Sequence, residues 1–223
     1  YLRCVPALIS CSKHLSSLLA GIAGNLGLTI ELKESEKQEL LIAPYYSIFA
    51  AKSPHRQTIS YPIARHELRR GRLLSMTSDL SEVDSVDLQM AVNQELERLL
   101  PGSYLFRFTK NGDLIEKSEA FSNESLWTLA YSQTSTMENA LRAVHDLPFG
   151  SSESMVESWQ TIIYEAPAHL DMQKPYFHLF AHNPKYKLFR FTSHHGVIMV
   201  SGAGDLYEEI THAGDYLEGV VNE

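Results

Sequence analysis

Two cysteines in a chain of 223 residues are too few for a disulfide framework, so Cys4 and Cys11 are read as thiols of a reducing compartment. No stretch reaches the roughly 18 uninterrupted apolar residues that a membrane-spanning helix needs. Near the start, Arg3, Pro6, Lys13 and His14 interrupt "YLRCVPALISCSKHLSSLLAGIAG", which is read as an amphipathic packing helix of a soluble chain. Basic residues are also scarce. Nineteen Lys and Arg face 27 Asp and Glu, for a net charge of -8 and a pI of about 5.7, which disfavours a polyanion or nucleic-acid binder. A P-loop, a GxGxxG loop, a serine elbow and an HExxH helix are all missing, so no nucleotide loop, hydrolase or metalloprotease motif is present.

What is there is ordinary for a folded chain: 44% hydrophobic and 21% charged residues, enough for a substantial core. The chain begins at Tyr1 rather than Met, so an excerpt of a longer protein is expected. Leu8, Cys11, Leu15, Leu18, Leu19 and Ile22 recur at helical spacing through 1–25, and Leu28–Leu32 alternates as a short strand. An apolar run surrounds Pro44. The polar stretch "SPHRQTISYPIARHELRRGR" reads as a connector whose Arg65, Arg69, Arg70 and Arg72 form a solvated face. Residues 77–100 make a helix, with Leu88, Val92, Leu96, Leu99 and Leu100 as its apolar stripe and Pro101-Gly102 as its stop. "SYLFRF" is then a strand, 109–125 a polar loop with an Asn-Gly turn, and "LWTLAYSQ" an antiparallel second strand. "STMENALRAVHDL" and "SSESMVESWQTIIYEA" read as helices, 185–201 as strand-turn-strand, and the chain closes on a helix. "LFRFT" occurs at both 105–109 and 188–192, which we read as two strands of one sheet.

Arg107 is the informative residue. An arginine on a half-buried strand is costly unless an anion meets its guanidinium fork. It is edge-exposed, paired with an internal carboxylate, or waiting for an anionic ligand, and from alternation alone the internal pair ranks first.

The order of elements around it changes that ranking. "ELERLL", "PGSYLFR" and the Phe108-Thr109 ending resemble the SH2 domain, in which a helix and a glycine turn precede a strand of the form Phe-Leu-x-Arg. The resemblance covers 85–134 and 184–221. It implies an α+β fold with a central antiparallel sheet flanked by helices, a helical insertion at about 134–184, and a mostly helical N-terminal region over 1–84 ahead of a domain at 85–223. It implies a non-catalytic module without metal or cofactor that binds tyrosine-phosphorylated proteins or peptides. Arg107 would hold the phosphate, Thr109, Lys110, Asn111 and Gly112 would close around it, and Lys185 and Lys187 would flank the ring. Gln94 stands where the family has an arginine. The resemblance places such a module in signalling within the cytoplasm, or in a host cytosol for a bacterial effector-type domain. The alternative from a different class is a metal-dependent or acid-base hydrolase using His178, His182, His195 and Asp205, without a metal-binding signature to support it.

Overall fold

The computed structural model describes residues 7–11, 13–34, 44–203 and 206–219. The first strand β1 (Ala7–Cys11), helix α1 (Lys13–Asn25) and strand β2 (Ile30–Glu34) form a parallel βαβ unit. Four strands follow: β3 (Tyr45–Lys52), β4 (Thr58–Ser60), β5 (Ala64–Arg69) and β6 (Arg72–Thr77). Helix α2 (Glu82–Arg98) leads to strands β7 (Gly102–Phe108), β8 (Leu114–Ser118) and β9 (Ala120–Phe121). A 3-10 turn at Asn123–Ser125 and helices α3 (Thr128–Tyr131) and α4 (Thr136–Val144) come next. The chain continues through β10 (Trp159–Glu165), α5 (Gln173–His182), β11 (Lys187–Arg190), β12 (His195–Ser201) and α6 (Tyr207–Leu217).

Among the described residues the strands form two sheets. A parallel three-stranded sheet runs β2-β1-β9, and a nine-stranded antiparallel sheet runs β11-β12-β10-β6-β5-β3-β7-β8, with β4 on β3. The large antiparallel sheet flanked by helices is the α+β class the sequence implies. No helix among the described residues is long and apolar enough to cross a membrane.

All eight residues of β3 are buried, which marks a strand covered on both faces. Side chains alternate across a strand. Tyr46, Ile48 and Ala50 therefore pack with Tyr104, Phe106 and Phe108 of β7 against Leu88, Val92 and Leu96 of α2. Phe49, Ala51 and Leu105 face the other way, onto Trp127, Met137 and Leu141. That second face also carries Arg107. Helix α2 is capped at both ends. The Ser81 hydroxyl accepts the amide of Asp84. At the other end the buried Lys52 ammonium donates to the carbonyls of Leu96, Glu97 and Leu99 at 2.8, 2.9 and 2.8 Å, satisfying orphan acceptors at the negative end of the helix dipole.

Helix α6 carries a glycine in its middle, ordinarily a loss of about 1 kcal/mol relative to alanine. A Cβ at Gly214 would lie 2.6 Å from the Arg72 guanidinium, so the missing side chain is the passage by which Arg72 reaches Asp215.

Several sequence expectations are corrected. Within the first 25 residues, Ala7–Cys11 is a strand and Lys13–Asn25 a helix rather than parts of one helix, and the "connector" supplies β4 and β5. The sheet takes strands from both sides of residue 84, so the N-terminal region is not mostly helical. "LWTLAYSQ" folds into a turn and the short helix α3 instead of a strand. Trp127 and Tyr131 are four apart and bury the same side, which suits a helical turn despite their aromatic character. The hairpin partner of β7 is β8, closed by a short turn, and β3 pairs on its other side. The second half of "SSESMVESWQTIIYEA" is β10, placing Ile162 and Tyr164 toward α6 and Trp159 and Thr161 away from it. Arg72 is buried against Asp215 rather than solvated, while Arg70 bonds the same carboxylate at 2.8 Å. The two "LFRFT" copies do lie in one sheet, on β7 and β11.

Trp127 and Trp159 stack at 4.6 Å and 10°, joining α3 to β10 across the core. Trp127→Ala is expected to cost about 3–5 kcal/mol by emptying that contact. Urea unfolding followed by far-UV circular dichroism measures it, and a loss under 1 kcal/mol would show the stack to be incidental.

Candidate functional site

The face of β7 opposite α2 carries Arg107, only 3% exposed. Its Nε donates at 2.7 Å to Glu124 Oε1, from the 3-10 turn, and its Nη1 donates at 2.7 Å to Glu116 Oε2, from the neighbouring β8. The two carboxylates differ sharply: Glu124 is buried, whereas the Glu116 side chain is 46% exposed. The Tyr45 hydroxyl of β3 donates to the same Glu124 oxygen at 3.0 Å.

Beside this group lies a fully buried histidine on β5. His66 meets the Ser47 hydroxyl through Nε2 at 2.7 Å and the Ser75 hydroxyl through Nδ1 at 2.8 Å, and its ring lies 4.9 Å from that of Tyr45. Burial pulls its pKa down to about 4, with Glu124 opposing and Arg107 adding to the shift. Burial by itself would raise the Glu124 carboxyl; the Arg107 charge together with hydrogen bonds from Arg107 and Ser122 outweighs it and brings the pKa down to about 2. Arg107 shows the same balance in reverse. Burial disfavours its charge, Glu124 and Glu116 outweigh that, and the pKa is raised. The result is a neutral histidine beside a charged carboxylate–guanidinium–carboxylate row.

The other expected phosphate ligands are elsewhere or occupied. Thr109, Lys110, Asn111 and Gly112 form the β7–β8 turn. The Thr109 hydroxyl accepts the amides of Asn111 and Asp113, both at 3.2 Å. Gly112 sits at φ +88, where a side chain is disfavoured, and its amide bonds the Thr109 carbonyl at 3.1 Å. Lys110 and Asn111 are exposed on this turn. Lys185 and Lys187 are exposed at β11, six strand spacings from β7 in the sheet order, roughly 29 Å along the sheet. No single phosphate can touch Arg107 and these lysines.

The histidine set is likewise not assembled. His178 and His182 of α5 lie 4.1 Å apart by ring centroid and line a cavity of about 290 Å³ with His212, Glu209, Asn183 and Tyr186. His195 lies on β12, its ring 5.1 Å from that of Phe191, and Asp205 is outside the described residues. No group of three or more His, Cys, Asp or Glu among the described residues is placed to hold a metal ion.

Neither a protein-family model nor a curated protein sequence matches the chain. Solved structures do. An N5-carboxyaminoimidazole ribonucleotide synthetase from Thermus thermophilus superposes with a TM-score of 0.63 at 21% identity, over 83% of this chain and 52% of its own. A synthase from Aspergillus clavatus, solved with ADP and 5-aminoimidazole ribonucleotide, gives 0.63 at 16% identity, over 80% of this chain and 52% of its own. A glycinamide transformylase T from Mycobacterium tuberculosis gives 0.59 at 14% identity, over 81% and 55%. All are under 25% identical and show the fold alone: the chain has the fold of part of such an enzyme. It spans about half the length of the structures it matches.

The SH2 resemblance is thereby overturned, and with it the non-catalytic, phosphotyrosine-binding, signalling module. Its motif rested on a buried arginine after a helix and a glycine turn, and this fold supplies the same local sequence for another reason. The neighbours take nucleotides and small substrates in place of phosphopeptides, and the hydrolase alternative finds no support either. The internal ion pair, ranked first on alternation alone, is what Arg107 makes.

Sequence reasoning missed Glu124, Tyr45 and His66. The one available signal was the demand of a buried arginine for a carboxylate, which names a residue type and no position.

Glu124→Gln should cost about 3–5 kcal/mol because it strands a buried guanidinium, while Glu116→Gln, at a half-exposed site, should cost under about 1 kcal/mol. Equal losses in denaturant titrations would refute that asymmetry. The unfolded chain takes up a proton on His66 near the ordinary 6.5 and the folded chain only near 4. Stability from its burial is therefore complete above 6.5 and falls as pH drops through that window. Glu124 adds a second loss between its ordinary 4.5 and about 2. Unfolding free energies measured against pH should show the first slope reduced in His66→Gln.

Proposed function

We propose that this chain is part of an ATP-dependent ligase of purine biosynthesis that carboxylates an aminoimidazole ribonucleotide. The observation that carries the reading is the likeness over 80% of the chain to a synthase solved with ADP and 5-aminoimidazole ribonucleotide. Others of the same kind from Thermotoga maritima and Staphylococcus aureus, the latter with ADP, match over 79% and 83% of the chain. The acidic balance of the chain agrees with a small-molecule site more than with a polyanion surface.

In this reading the antiparallel sheet is a rigid scaffold of the enzyme. Its face bearing Leu105 and Arg107 carries a fixed charged group at a position set by four elements: β3, β7, β8 and the 3-10 turn. Binding chemistry on rigid strands is more accurately placed than on loops.

Thermal unfolding with and without ADP tests the reading. ADP at a hundred times its dissociation constant should stabilise the chain by about 2.7 kcal/mol, and 5-aminoimidazole ribonucleotide should add to it. An unfolding midpoint indifferent to both ligands would overturn it.

A further inference from the structure

Between helix α5 and the β11–β12 hairpin lies a cavity of about 520 Å³, within the range of roughly 300–1,000 Å³ in which small-molecule pockets fall. Tyr176, Phe177 and Phe180 of α5 line it, with Leu170 and Met172 from the segment just before the helix. Phe177 is 68% and Phe180 42% exposed. Apolar side chains scattered singly over a surface are ordinary. Two exposed phenylalanines opening onto one hollow that three more apolar residues line are not scattered.

Hydrogen bonds fix the walls. The Tyr176 hydroxyl donates to the Ser193 carbonyl at 3.0 Å, joining α5 to the hairpin turn. Having used its only proton, it accepts that of the buried Tyr164 at 3.1 Å. A carbonyl can only accept, so His194 donates from Nε2 to Leu170 at 3.0 Å, while its Nδ1 meets the Ser193 hydroxyl at 2.8 Å. The cavity is thus shaped before any ligand arrives, which lowers the cost of binding one.

Arg190 supplies the polar end. Its guanidinium lies over the Tyr176 ring, 5.4 Å from the centroid, so the ring takes one face of the planar group and leaves its N–H edge open. No carboxylate among the described residues pairs with it. Asp171, the acid on the rim, has its Oδ1 on the Gln173 amide at the start of α5, where the helix dipole favours a negative charge.

We propose that this cavity binds a small molecule made of a flat aromatic ring and one anionic group, a carboxylate or a phosphate, with the ring against Tyr176, Phe177 and Phe180 and the anion on the open edge of Arg190. A guanidinium holds either anion through parallel N–H groups, and a ring among three others finds offset or edge-on contacts. A cationic ligand would meet Arg190 as a like charge, and an uncharged one would leave its donors unused. The proposal does not depend on the ligase reading, because the cavity stands at the β11 end of the sheet and shares no residue with the Arg107 row.

Calorimetric titration with 2-naphthoate, 2-naphthyl phosphate and the uncharged 2-naphthamide tests it in wild type, Arg190→Gln and Phe177→Ala. Wild type should bind one naphthoate or naphthyl phosphate per chain, about tenfold more tightly than naphthamide. The tighter of the two anions identifies the head group. Arg190→Gln should erase the preference for an anion, and Phe177→Ala should weaken all three probes alike, by about tenfold. Both side chains are exposed, so both variants should keep the wild-type circular dichroism spectrum. Should either lose it, the preference of wild type for the charged probes still decides. No binding of any probe, equal affinity of wild type for naphthoate and naphthamide, or a preference that survives Arg190→Gln would overturn the proposal. ADP is absent from every titration, so the outcome is independent of the ligase reading.

Discussion

The bond between Arg107 and Glu124 is the constraint around which the first half of the sheet is organised. A charge buried without a partner is among the most costly features a fold can contain. Arg107 therefore fixes where Glu124 must be, and Glu124 fixes the turn after β9 that carries it. Tyr45 closes the arrangement by adding β3 to the same oxygen. The neutral His66 sits beside it: burial disfavours its charged form and the guanidinium adds to that, together outweighing the pull of Glu124, while both ring nitrogens meet serine hydroxyls. One ion pair thus couples three strands and a turn that are dispersed along the sequence.

A second ionic joint holds the other half of the molecule, on different terms. Arg72 at the start of β6 reaches Asp215 on α6, and Arg70 reaches it from the β5–β6 turn. Around this joint Ile162, Val200, Ile210, Ala213 and Leu217 form an apolar cluster. Gly214 shows which demand prevailed there, since a helix interior gave up an alanine to let a guanidinium pass. Both joints tie a strand to an element far away in sequence, which local propensity cannot do.

That distinction explains what could be read from the sequence. Helix α2 was legible because its signals are local: an apolar stripe at Leu88, Val92 and Leu96, and Pro-Gly after the end. Strand β7, the β11–β12 hairpin and α6 were legible for the same reason. β10 was not, because serines and acidic residues run into it and its alternation starts only at Trp159. Helix α3 was not, because Trp127 and Tyr131 carry strand-like propensity while their burial follows a helical turn. For the site, the sequence showed that Arg107 needed an anion but not which one. A motif of helix, glycine turn and strand arginine is short enough to arise in two unrelated folds. The choice between them lay in the fifty residues after it, where one fold needs a hairpin and this one places α4, β10 and α5.

The two ion pairs of Arg107 are unequal because its two carboxylate partners face different surroundings. At the buried end, desolvation makes the contact with Glu124 all or nothing, so evolution cannot weaken it without unfolding the strand pair around it. At the Glu116 end, water screens the charge and the bond is exchangeable. One guanidinium thus carries one bond on which the fold depends and one that it can exchange.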